Sequence, residues 1–428
     1  MKKIQKSVIL LLVTLMFIPS FGQEISKLST SDLPSLPAEK AHVESLGYAG
    51  MLGGNHNDVV IAAGGANFPN GLPWEGGSKV WSKNIYIFEN DQWRLSATQL
   101  PMPLGYSASV STDKGILCIG GNNNATVSDK VFLLAYDASS KEVNVSEYPV
   151  LPEPLAFSSA VVSDDFVYVV GGKNADKSTN SFYRINLKDA KNWEKLADFP
   201  GPPRALHCTA IQETQTNKKL FVIGGRNEVS GKKSETLTNY LSYDFKNETW
   251  QDEGNLEIDG KPRVLMGASA ETMGSMHIMV YGGSDELLFD ELENIGLQMR
   301  TVQNDSLRSL LVERRNDILN NHSGFSKDIL AYNSITKKWF VYDKLQTKIP
   351  VTALSFKNKE DFFIVSGEVS PGIRTPKVQT FKIADAAHPF GIINYSVLAL
   401  YLLISVLIGI YFARKQKSTA DYFTGGGR

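Results

Sequence analysis

Glu368 and Arg374, in the stretch Gly367-Glu-Val-Ser-Pro-Gly-Ile-Arg-Thr375, set the chemical question, because a carboxylate ends an apolar run and a guanidinium follows six residues on. A carboxylate so placed can act as a general base. A planar guanidinium can grip an anion through two parallel hydrogen bonds, and Pro371 and Gly372 turn the loop between the two. Taken alone, the pair reads first as an ion pair stiffening its loop. Asn67, Asn122, Arg226 and Asp285 follow other apolar runs in the same way. Arg204, Arg226 and Arg263 could bind a carboxylate or hydroxyls, or could serve as struts bonded to neighbouring carbonyls. Asn67 could bond a ligand hydroxyl or cap its own turn, and Phe68, Trp74 and Tyr106 offer aromatic faces whose default role is packing. His207 and His277 lack a partner at metal-ligand spacing. Cys118 and Cys208 are too few for a disulfide scaffold or a cysteine-built metal site, and read as small buried strand residues. Neither metal nor cofactor is expected.

The elements that position these residues show in the glycines. Apolar strands end in Gly64-Gly65, Gly120-Gly121, Gly171-Gly172, Gly224-Gly225, Gly282-Gly283 and Ser366-Gly367, at successive spacings of 56, 51, 53, 58 and 84 residues. A period near 50 with Gly-Gly after a strand marks kelch propeller blades. Tyrosine and tryptophan follow most doublets in pairs, Tyr86 with Trp93, Tyr183 with Trp193, Tyr243 with Trp250 and Tyr332 with Trp339. These fit the third strand and the start of the fourth. The expected fold is all-β, a six-bladed kelch propeller over residues 23–388, because four-stranded sheets bury both faces only when packed around an axis. No tryptophan strand follows Lys377–Ile383, so the sixth blade takes its outer strand from the N-terminal side, over Glu24–Ser29. The long gap before the last blade carries leucines and isoleucines at helical spacing. It predicts about two helices inserted over 285–327, as a lid on the mouth or a decoration on the rim. Loops just after each doublet converge on one mouth of such a ring, which gathers Asn67, Asn122, Arg226, Asp285 and Glu368.

The ends differ from this body. Residues 1–22 carry Lys2, Lys3 and Lys6, an apolar run from Val8 to Ile18, and small residues before Gln23, which reads as a secretory signal peptide. Residues 389–413 are free of charge and long enough to cross a bilayer, and Arg414, Lys415 and Lys417 follow at once. The expectation is an exported, periplasmic propeller anchored in the inner membrane, with a cytoplasmic tail at 414–428. That tail, Ala420-Asp-Tyr-Phe-Thr-Gly-Gly-Gly-Arg428, resembles the stretch after the first helix of sodium:solute symporters. The resemblance implies a propeller at the front of a symporter fusion, whose transporter half would lie beyond this chain.

The Glu368 loop carries a second resemblance. Gly367, Glu368, Pro371, Gly372, Arg374 and Thr375 match the Gly-Glu-x-x-Pro-Gly-x-Arg-Thr segment of the bacterial N-acetylneuraminate epimerases, six-bladed kelch mutarotases. Phe199-Pro-Gly-Pro-Pro-Arg204 resembles that family's proline-arginine turn, and Ala63-Gly-Gly-Ala-Asn67-Phe68 its closing-blade loop. The segments stand in a different order, so the chain is similar to a cyclically permuted branch over about residues 24–383. The resemblance implies a mutarotase interconverting the anomers of N-acetylneuraminate or a related sugar acid, coupled to uptake. Glu368 is then the base, Arg374 the clamp on the substrate carboxylate, and Arg204, Asn67 and Arg226 the substrate-binding group. The implied partners are a small sugar acid, a membrane reached through one helix, and a symporter. The other reading is a non-catalytic periplasmic sugar-binding domain of that symporter. With 44 Lys and Arg against 45 Asp and Glu, no basic field exists to draw nucleic acid. A kelch protein-interaction ring fits the polar mouth loops less well, and no Cys, Tyr and His constellation sits there for a copper oxidase.

Overall fold

The computed structural model describes residues 28–39, 44–284, 287–383 and 392–415. Residues 28–383 form one compact unit, built of six four-stranded antiparallel sheets. The first blade runs Leu52–His56, Val59–Ala63, Asn84–Glu89 and Gln92–Gln99. The next four repeat this pattern, and the sixth combines Leu354–Asn358, Asp361–Val365 and Val378–Ile383 with Leu28–Leu33 from the other end of the unit. Apolar clusters fill each gap between neighbouring sheets, as where Ile61, Ile87, Cys118 and Leu134 meet between blades one and two. This is the six-bladed propeller that the doublet spacing predicts.

The doublets turn the chain where it leaves the second strand. At Gly120 (φ 63°) an added Cβ would lie 2.1 Å from the Leu155 carbonyl oxygen, so the close approach of the next blade demands glycine. Ser366 holds the equivalent place in blade six at φ 58°. It earns the exception with its hydroxyl, which accepts from Tyr48 N at 2.7 Å and lies 2.7 Å from the Thr375 carbonyl oxygen. Tryptophans of the fourth strands reach across to the preceding blade, Trp93 to the Pro34 carbonyl at 2.8 Å and Trp193 to that of Pro149 at 2.7 Å.

The closing strand is Leu28–Leu33, antiparallel to Val378–Ile383 with Leu28 opposite Ile383 and Leu33 opposite Val378. It shares Leu28 and Ser29 with the expected Glu24–Ser29 and runs on to Leu33, where Pro34, which has no N–H, ends the ladder. Residues 24–27 lie outside the described residues, as do the expected signal peptide at 1–22 and the tail from 416.

A closed cycle of backbone hydrogen bonds rings the axis. Tyr106 N donates to Gly50 O, Phe157 N to Tyr106 O, Leu206 N to Phe157 O, Gly267 N to Leu206 O, Thr352 N to Gly267 O, and Gly50 N to Thr352 O, at 2.8–3.1 Å. Each blade contributes one residue, and all six have left-handed φ between 49° and 66°. Below this ring the inner strands enclose a channel of about 430 Å³, lined among others by Ser107, Ser158, His207 and Ala353. Each of these immediately follows a ring residue, so the ring marks the boundary between channel and mouth.

The gap before blade six holds two helices, α1 (Leu287–Thr301) and α2 (Asp305–Asn320), the second capped by the Asn304 side chain accepting from Leu307 N. A third helix, α3 (Ile392–Lys415), belongs to a separate unit. Among the described residues no helix is long and apolar enough to cross a membrane. The membrane span expected at 389–413 therefore rests on the residue sequence alone.

Candidate functional site

Glu368 opens a short strand, Glu368–Ser370, that folds back on Ile373–Arg374. Its backbone is pinned by reciprocal 2.9 Å bonds to Val351. Both carboxylate oxygens are held by their own loop: Oε1 accepts from Gly372 N at 3.1 Å and Oε2 from Arg374 Nη2 at 3.0 Å. Gly372 cannot be larger, since an added Cβ would sit 2.7 Å from the Trp74 ring. Trp74 in turn donates to Asn320 Oδ1 at 3.0 Å, which ties the end of α2 to this loop.

Glu368 lines a cavity of about 440 Å³ at the mouth, a volume suited to a small ligand. Five ring residues, Tyr106, Phe157, Leu206, Gly267 and Thr352, line it from the axis. Phe289, Leu292 and Glu293 of α1 line it too, with His322 and Phe325 beyond α2. The insertion is therefore a cover on the mouth rather than a decoration of the rim. Glu293 fastens it, accepting from Ser234 N at 2.9 Å and Ser234 Oγ at 2.6 Å.

Arg226 and Lys79 bring positive charge to this wall. The Arg226 guanidinium bonds Glu228 at 2.8 Å and lies 4.9 Å from the Phe289 ring centre, while its Nε has no partner among the described residues. Glu228 also pairs with Lys173. Burial pushes the Glu228 carboxyl up, but Arg226 and Lys173 outweigh it and hold the group below the ordinary range.

The remaining expected site residues fall elsewhere. Arg374 does not line the cavity: its side chain is 4% exposed, lies 4.5 Å from the Phe68 ring centre and is paired with Glu368. Arg204 is 0% exposed and bonds the Gly224 carbonyl at 3.1 Å and Asn239 Oδ1 at 3.0 Å. It occupies the place that buried Leu104 and Leu155 hold in other blades, so it is a strut between blades and not a binding residue. Arg263 is likewise a strut, bonded to Asp328 at 2.7 Å. Asn67 caps the Gly47 carbonyl at 3.2 Å, Asn122 does not line the cavity, and Asp285 lies outside the described residues. His207 is buried and pushed down to about 3 by desolvation, helped by nearby Arg204. Both cysteines are free and buried, and no cluster of metal-ligating side chains occurs among the described residues. Lys79, Phe157, Glu293 and His322 are cavity residues the sequence reading missed. Phe157 alone had a signal: Pro154-Leu-Ala-Phe-Ser158 repeats Pro103-Leu-Gly-Tyr-Ser107.

The N-acetylneuraminate epimerase family model matches residues 20–143 and 148–393. The chain belongs to that family. Among its relatives is the N-acetylneuraminate epimerase of Yersinia enterocolitica, 27% identical over 247 residues, which are 55% of this chain and 57% of the relative. That of Haemophilus influenzae is 25% identical over 243 residues, 56% of this chain and 60% of its own length. The chain thus spans less than two thirds of the length of either. The Vibrio cholerae epimerase is 36% identical over 118 residues, 25% of this chain and 30% of its own. The solved structure of YjhT covers 83% of this chain and 98% of its own at a TM-score of 0.56 and 14% identity, which shows a shared fold.

Proposed function

We propose that the propeller is a mutarotase that interconverts the α and β anomers of N-acetylneuraminate or a related sugar acid. The observation that carries this reading is Glu368, a carboxylate on the wall of the covered mouth cavity, within the stretch 148–393 that the epimerase family model matches. In the reaction Glu368 takes the proton of the anomeric hydroxyl, the ring C–O bond opens to the keto form, the C–C bond beside the carbonyl rotates, and the ring recloses on the other face. Arg374 is a positioning residue that fixes the orientation of Glu368. Arg226, whose guanidinium side chain lines the same cavity as Glu368, receives the substrate carboxylate. The cover on the mouth keeps water from competing for these charges.

The test is proton NMR of freshly released α-anomer, with and without the protein. Faster approach to anomeric equilibrium supports the reading. Saturable binding without acceleration replaces it with a non-catalytic sugar-binding domain.

The same reading places the propeller outside the cytoplasm, held at the inner membrane by residues 389–413 and working beside an uptake system such as a sodium:solute symporter. Its support is the uncharged run followed by Arg414, Lys415 and Lys417, and the basic-then-apolar start of the chain. Recovery of the protein as a freely soluble species after cell fractionation would refute this placement.

A further inference from the structure

Opening a sugar ring leaves negative charge on the ring oxygen, so a base at the anomeric hydroxyl needs a proton donor elsewhere in the same cavity. We propose that Tyr106, assisted by Lys79, is that donor; the proposal rests on the mutarotase reading. Both residues line the cavity with Glu368. Tyr106 is held with little freedom: its backbone belongs to the closed ring at φ 58°, and its aromatic ring centre lies 4.6 Å from that of Phe157. Gly50 makes room for it, since a Cβ there would come within 2.4 Å of the phenol ring. Residues fixed in strained backbone at a cavity wall are a recurrent mark of function.

Lys79 supplies the electrostatics. Its ammonium donates to the Tyr106 hydroxyl at 3.2 Å and lies 5.0 Å from the ring centre. The phenol oxygen is thus an acceptor toward Lys79, and its own hydrogen meets no acceptor among the described residues. An ammonium at that distance offsets the negative charge that grows on the phenol oxygen as it gives up its proton. Two other titratable cavity groups are engaged elsewhere: Glu293 accepts from Ser234, and the Nδ1 of His322 accepts from Gly324 N.

The step balances. Glu368 accepts the anomeric proton and the electron pair of that O–H bond becomes the carbonyl π bond. The C–O ring bond breaks toward the ring oxygen, which takes the proton of Tyr106. Reclosure on the opposite carbonyl face returns that proton to Tyr106 and the Glu368 proton to the new anomeric oxygen.

Tyr106→Phe is the central test, because the neighbouring blade already carries Phe157 at the equivalent ring position. The exchange kcat should fall on the order of a hundredfold while KM for the sugar acid changes less than about threefold. Lys79→Met, outside the strained ring, should lower kcat in parallel, and Lys79→Arg should restore most of it. A folded Tyr106→Phe protein at the wild-type rate, with Glu368→Gln inactive, overturns the role of Tyr106 and leaves the mutarotase reading standing. The same holds if the loss appears with His322→Gln instead. A wild-type protein that does not accelerate exchange overturns both. Should Tyr106→Phe not fold, a wild-type rate in Lys79→Met overturns the proposal alone.

Discussion

Glu368 has both oxygens bonded within its own loop, so Glu368→Gln keeps the shape and part of the hydrogen bonding while removing the base. The exchange rate should fall on the order of a hundredfold or more with ligand binding largely preserved, as read from NMR exchange beside binding isotherms. The two arginines should separate. Arg374→Lys loses the guanidinium contact with the Phe68 ring and the hold on Glu368, and should lower the rate more than the affinity; Arg226→Lys should do the reverse. The Glu368 loop could be read from the sequence because its residues are contiguous. Arg204 misled because a proline-arginine turn looks the same whether its side chain faces a mouth or a blade interface. The leucines at positions 104 and 155 are the clue that this place is internal. Lys79 was invisible, since it sits in the irregular connection between Asn67 and Val80, where no period says which side chain turns inward.

At the scale of elements, blade count followed from the glycine period, a local demand of crowded turns that repeats with each blade, and closure from the missing tryptophan strand of the sixth blade. The closing strand runs past the expected Ser29 because pairing continues wherever N–H groups allow, a fact of register that composition does not carry. Deleting Leu28–Leu33 should lower the melting temperature and broaden the transition of the whole ring, followed by circular dichroism. The helical insertion was legible as helices but not as a cover, because an apolar stripe says that something is faced, not what. The inner strand of blade five offers a pH test. Burial in the channel pushes the Glu271 carboxyl up to about 8, against the pull of Lys357 on the adjacent inner strand. A carboxyl protonated more tightly in the folded chain than at its ordinary 4.5 leaves stability intact below that value. Stability then declines as pH rises toward 8. Melting temperatures between pH 4 and 9 should show this decline in the wild type and lose it in Glu271→Gln.

Across the propeller as a whole, a ring has no first blade, so the chain can begin in any of them without changing which sheets touch. The family match, over residues 20–143 and 148–393, takes in all six blades of the wheel. The six-membered cycle of backbone hydrogen bonds at the axis extends this logic inward. A helix or sheet edge frays from its terminal bond, but a cycle has no terminus, and each of its donors is released only when two blades separate. The amide protons of residues 50, 106, 157, 206, 267 and 352 should therefore exchange with deuterium among the slowest in the propeller and at a common rate.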